Sequence, residues 1–265
     1  MNNLLRYYKR SFILEVKRTI IYPLSFWIIA LIWPAYSLFQ IIFLETIYSQ
    51  TNNFVGYSKY EAYVLFGTFT FVQTLGHLFF YRRLTELAYL IRGNADESFD
   101  IALTKPINTQ IFTTTGRFNF GNITAALVGL VVVFYGLSQE PYSLGIVNIV
   151  SYIIMVPLGI LIYYIMYTII STFLFWYPEL KMTENLWGSI QDFGQYPSSL
   201  YQGGIGIVLN ILVPLTLMAS VPVDFLLGKL PAPMLLLYYA LVTILLLITR
   251  LFWNFSIKQY SSSSS

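Results

Sequence analysis

The chain has 265 residues, 57% hydrophobic and only 10% charged, against roughly 25% charged in an average soluble domain. Its mean hydropathy of +0.65 excludes a soluble enzyme, a disordered chain and a secreted disulfide scaffold. A net charge of +3 is too slight for a nucleic-acid face, and with no cysteine and His77 as the one histidine there is no thiolate nucleophile, Cys-type zinc site or HExxH pair.

Residues 1–20 read as an amphipathic, basic interfacial helix. Leu4, Leu5, Tyr8, Phe12, Val16 and Thr19 fall on one arc and Arg6, Arg10 and Lys17 on another, a pattern suited to the headgroup layer. Glu15 falls inside the apolar arc, against that pattern. The simpler alternative is a charged flank that only sets topology. Five positive charges ahead of a long apolar run do not read as a cleavable signal peptide.

A bilayer core of about 30 Å takes roughly 20 apolar residues per helix. Six stretches qualify: Tyr22–Leu44, Tyr60–Tyr81, Phe118–Leu137, Ile146–Phe175, Gly204–Val221 and Met234–Phe255. The second carries Gln73 and His77, and the third Asn119, Asn122 and Thr124. The expected fold is therefore an all-α integral membrane protein with six transmembrane helices, one transmembrane domain over 1–260 and a disordered serine tail over 261–265. Basic residues set its orientation. Arg6, Lys9, Arg10, Lys17, Arg18, Arg82, Arg83, Arg92, Lys105, Arg117, Lys181, Arg250 and Lys258 fall on one side, and only Lys59 and Lys229 on the other. The positive-inside rule then puts both termini in the cytoplasm.

Two cytoplasmic stretches follow from this map. Residues 82–117 alternate charge with apolar residues and predict one or two short helices, with breaks at Gly93-Asn94 and Lys105-Pro106. Trp176–Gln202, with Tyr177-Pro178, Trp187 and Tyr196-Pro197, reads as an interfacial segment.

Chemistry is mostly absent. Gly228-Lys229 is followed by Leu230, so there is no GxxxxGK[ST] loop and no enzyme activity of that kind is expected on this chain. Ionisable residues at mid-depth mark carriers and channels, and the six-span map has almost none. His77 reads either as a proton relay or substrate contact, or as a neutral histidine bonded to a neighbouring helix. Asn210 and Pro214 read as a kink lining a cavity or as ordinary interhelical bonding. Tyr152, Tyr163, Tyr164 and Tyr167 line a path or pack.

Phe99-Asp100-Ile101-Ala102-Leu103-Thr104-Lys105-Pro106-Ile107-Asn108 resembles a segment of a bacterial permease group of the type-2 ABC exporters. Tyr196-Pro197, Pro214, Pro222 and Gly228 stand in the group's order, and Trp253 followed by Lys258-Gln259-Tyr260-Ser261 is similar to its C-terminal signature. Gly93 is matched to the group's glycine, at a longer spacing from Asp100.

The resemblance implies a permease subunit in a bacterial cytoplasmic (inner) membrane, dimeric with itself or a related permease. It implies energy from separate ABC ATPase subunits that carry ATP and Mg, so no cofactor on this chain. A cytoplasmic coupling helix between spans two and three, within Arg83–Pro106, would dock on the ATPase through Gly93, Asp100, Leu103, Lys105 and Pro106. His77, Asn210, Pro214 and Pro222 would belong to the translocation path or gate, the outer gate being shaped by Tyr201–Val221 and Pro222–Pro233. Membrane lipids are the other expected partner, and nucleic acid is not. The rival reading is a secondary transporter or channel not driven by ATP.

Overall fold

A computed structural model describes residues 2–93, 98–140, 142, 144–177 and 182–260. Among them there is no strand, and the fold is all-helical, 81% helix. The predicted serine tail and Lys181 lie outside the described residues.

Helix α1 (Asn2–Ile21) ends at Tyr22, where Pro23 opens α2 (Pro23–Tyr48); proline is tolerated there because the first helical N–H has no partner to lose. Helix α3 (Lys59–Gly76) starts on a reciprocal cap. The Ser58 hydroxyl accepts from the Glu61 backbone N–H, and the Glu61 carboxylate accepts from the Ser58 N–H. It widens into a π turn over His77–Tyr81 and continues as α4 (Arg82–Ile91). Two short helices follow, α5 (Phe99–Thr104) and α6 (Thr109–Thr114). A 3₁₀ turn over Phe120–Asn122 leads into α7 (Ile123–Gln139), and α8 (Ile146–Thr172) returns. Beyond it lie α9 (Met182–Gln191), α10 (Gly203–Ile207), α11 (Ser220–Leu226) and α12 (Pro233–Ile257).

Five helical stretches among the described residues are long and apolar enough to span a bilayer: Pro23–Tyr48, Lys59–Ile91, Phe120–Gln139, Ile146–Phe175 and Pro233–Ile257. They match five of the six expected stretches.

The exception is Gly204–Val221, which is not one helix. It is α10, a π turn over Val208–Leu212, a break, a 3₁₀ turn over Thr216–Met218 and then α11. Pro214 supplies the break: it lacks a donor and drives the residue before it out of the helical region, and Val213 has φ −127° and ψ 69°.

Trp176–Gln202 also departs from expectation, because it does not stay at one end of the molecule. From α9 onward it runs antiparallel to α3 through successive neighbours. The Trp187 ring stacks on Tyr167 at 4.9 Å and its Nε1 donates to the Tyr163 hydroxyl at 3.1 Å. Gln191 stands beside His77 and Asp192 beside Gln73. Gly194 packs against Phe69 and the Leu215 carbonyl, Tyr196 and Pro197 lie near Ala62 and Phe66, and Ser199 donates to the Val55 carbonyl at 3.0 Å. The segment thus traverses the bundle. Hairpin 203–226 then dips in and returns: Met218 meets Gly159 midway along α8, and the Phe225 carbonyl accepts from Asn148 near the start of α8.

The bundle is built around α3, the most enclosed of the long helices. Its Gly67 faces Gly129 of α7 so closely that a Cβ on Gly67 would lie 2.7 Å from the Gly129 carbonyl oxygen. Small residues that let backbones meet are the usual basis of helix packing in membranes.

Charges collect at two ends. At one, Lys59 pairs with Glu45 at 2.7 Å, Lys229 with Glu61 at 2.8 Å, and the Tyr57 hydroxyl donates to Asp224. At the other are the arginines of α1, α4 and the approach to α7. Because the chain has no native cysteine, Ser199→Cys and Ser49→Cys are each expected to react with an impermeant maleimide from the same membrane face, and Asn185→Cys and Thr104→Cys from the opposite one. Reaction of Ser199→Cys with the Thr104→Cys group would contradict the traverse.

Candidate functional site

The segment that carries the resemblance folds into α5 and its exit. Phe99 and Ala102, three residues apart, face inward and are fully buried, whereas Ile101 and Leu103 are 42% and 44% exposed. Asp100 sits in the first turn, where a carboxylate favours the helix dipole. The helix stops at Thr104 because Pro106 forces Lys105 into an extended conformation (φ −72°, ψ 141°). Lys105 and Pro106 are exposed. Gly93 ends α4 at φ +69°, in the left-handed region that favours glycine, and is separated from α5 by residues 94–97, outside the described residues.

The inward face of α5 is anchored at the junction of three long helices. Phe99 packs with Leu87, Leu90 and Ile91 of α4, Leu174 and Phe175 beyond α8, and Trp253 of α12. Its ring lies 5.1 Å from that of Phe175 and 4.8 Å from that of Tyr260. Past the Pro106 turn, Asn108 caps α6 through the Ile111 N–H, and Arg250 of α12 donates to Asn108 at 3.1 Å and to Gln110 at 2.9 Å. Displacing α5 therefore presses on the ends of α4, α8 and α12 together.

Next to it, α1 is held down by Glu15. This residue looked misplaced on the apolar arc, and it is 3% exposed. It meets Arg18 at 3.1 Å, Arg82 at 3.4 Å and Arg117 at 3.5 Å. Burial pushes its pKa above the ordinary value, and Arg82, then Arg18, pull it back. Glu86 joins the network through Arg82 and Arg117, at 3.4 Å each. The Tyr7 hydroxyl donates to the Thr115 carbonyl at 2.7 Å, fixing the other end of α1. A carboxylate out of place on an apolar helix face was the signal for this network; Arg82 and Arg117 gave none.

The other predicted residues lie away from α5. His77 occupies the π turn, enclosed by the rings of Trp33, Tyr81 and Tyr163 with centroids at 5.0, 4.7 and 5.6 Å. Neither of its nitrogens meets hydrogen-bond geometry among the described residues, and Gln191 is the polar side chain beside it. Asn210, Pro214 and Pro222 share the hairpin. Asn210 donates to the Ser198 carbonyl at 3.3 Å and accepts from Thr216, so it ties both arms to the end of the traverse. Pro214 makes the turn and Pro222 is buried in α11.

The four tyrosines of α8 pack inward. Tyr152 bonds Thr68, Tyr163 bonds Trp187, Tyr164 bonds Thr114, and Tyr167 stacks on Trp187. Trp187, assigned to an interface by its composition, is a core residue. Asp192, expected outside the membrane, stands in mid-bundle beside Gln73. Among the described residues no three of His, Cys, Asp and Glu gather as metal ligands.

Long apolar helices packed around an enclosed centre define a multi-pass membrane protein. The profile of the ABC-2 family transporter proteins matches residues 31–264, and the chain belongs to that family. It is thus a permease of an ABC transporter, a class that works with an ABC ATPase. No curated protein and no solved structure matches it.

Phe99→Ala removes a fully buried ring and is expected to cost about 3 kcal/mol, whereas Leu103→Ala on the exposed face should change stability by less than about 0.5 kcal/mol. Thermal unfolding of the purified variants in one detergent measures the difference.

Proposed function

We propose that this chain is the membrane-spanning subunit of an ATP-driven exporter in a bacterial inner membrane, and that α5 is its coupling helix. The observation that carries this reading is the two-sided character of α5. One face is locked into the ends of three long helices, and the other offers Ile101 and Leu103 to a partner. On this reading ATP and Mg belong to separate ATPase subunits, and the support is that this sequence carries no GxxxxGK[ST] loop. Nucleotide-driven closure of the ATPase pair would push α5, and through Phe99 the ends of α4, α8 and α12.

Six crossings are counted as the five long helices plus the traverse 182–200, with both termini and α5 in the cytoplasm. Their support is the segregation of arginines to the α5 end and of Lys59 and Lys229 to the other. A second permease, identical or related, is inferred from the traverse. Ser189 is exposed within it, and its backbone is irregular from Asp192 onward. Lipid tolerates neither, so that side is expected to line a watered path closed by another subunit. Asn210, Pro214 and Pro222 would then shape the outer gate, with His77 a packing residue at the turn of α3.

Ile101→Asp with Leu103→Asp is the test. The variant is expected to reach the membrane and melt as the parent does, yet lose at least about tenfold in capture of the ATPase subunit, because two apolar contacts are replaced by desolvated charges. Pro106→Ala should weaken capture less. Normal capture and normal substrate-stimulated ATP hydrolysis in the double variant would refute α5 as the coupling helix. Undiminished transport driven by an ion gradient, with the ATPase inactivated, would favour the carrier reading.

A further inference from the structure

A cleft of about 700 Å³ opens between α1–α2 and α4–α7 at the arginine-rich end. Its two ends differ in chemistry. Arg18, Arg82 and Arg117 line one with Thr19 and Thr85, and Phe26, Ile29, Phe118 and Phe120 line the other. The polar end lies just before Pro23 and Phe120, where two long apolar stretches begin. The charged residues therefore stand at headgroup level and the aromatic ones at the level of glycerol and the first acyl carbons.

Three arginines here share two carboxylates, Glu15 and Glu86, at 3.1 to 3.5 Å, which leaves the cleft with a positive surplus. Arg18 and Arg82 keep more than two-fifths of their side-chain surface exposed. Guanidinium groups suit phosphate because they present forked donors to its oxygens. We propose that this cleft is a binding site for an anionic phospholipid, whose headgroup phosphate is held by Arg18, Arg82 and Arg117 and whose acyl chains leave along Phe26 and Ile29. Basic pockets on the cytoplasmic side of membrane helices are where such headgroups lodge. The lipid would bridge α1 to α4 and α7. The site depends on the chain being embedded in a bilayer and not on which ATPase drives it.

The test uses the full chain in nanodiscs of phosphatidylcholine with and without phosphatidylglycerol. Native mass spectrometry reads retained lipid, and thermal unfolding reads stabilisation. Phosphatidylglycerol is expected to be retained and to raise Tm. Arg18→Gln and Arg117→Gln should each weaken retention about fivefold, while Lys17→Gln, on the same helix but outside the cleft, should leave it unchanged.

Because the arginines also serve Glu15, Ser25→Trp provides a second variant that fills the cleft without altering charge, and it should lose retention while keeping the parent Tm in phosphatidylcholine. Equal loss in Lys17→Gln would mean diffuse attraction to the surface and would overturn the site. Stabilisation by inorganic phosphate alone, with no preference for phosphatidylglycerol, would overturn the lipid in favour of a free anion. Normal retention in both Ser25→Trp and Arg117→Gln would overturn it altogether.

Discussion

Backbone-to-backbone contact between α3 and α7 is the constraint on which the rest depends. A Cβ on Gly67 would fall 2.7 Å from the Gly129 carbonyl oxygen, one on Gly129 2.8 Å from the Gly67 carbonyl oxygen, and one on Gly136 2.8 Å from the Tyr60 carbonyl oxygen. Lipid gives two helices no hydrophobic reason to associate, so close approach and dispersion must do it. With α7 pressed flat on one side of α3, the other sides stay free for α8, the traverse and α11. That position makes α3 the shared neighbour through which α8 and the traverse are registered.

At the arginine-rich end the logic is electrostatic. Glu15 and Glu86 each bridge elements distant in sequence, and together they fasten α1 to α4 and to the approach of α7. Without Arg82 and Arg117 a buried Glu15 would be costly; with them it becomes the pin of an interfacial helix. The apolar knot of Phe99, Phe175 and Trp253 lies close by. An ionic tie and an apolar one thus secure α1 and α5 independently.

The long apolar stretches were legible in the sequence because each is a continuous run whose composition alone demands a bilayer. The end of α5 was legible too, since Lys105-Pro106 states a local stereochemical rule. The traverse was not. Gln191, Asp192 and Trp187 are acceptable in mid-bundle only because His77, Gln73 and Tyr163 are there to meet them, and those meetings are tertiary. Gly204–Val221 misled in the opposite sense: it is apolar enough to span, but Pro214 and the hairpin bond from Thr216 to Asn210 fold it back. Of the candidate site, the α5 segment was readable and the Glu15 network only as an anomaly.

The composition of the traverse also bears on how the protein is made. Membrane insertion machinery sorts segments by their own transfer free energy, and 182–200, with Glu184, Asn185, Gln191 and Asp192, has little to offer it. On the proposed six-crossing map such a stretch enters by clinging to neighbours already in place, much as a loop docks on a finished core. The most polar wall of the protein would then be laid only once α3 and α8 are in place.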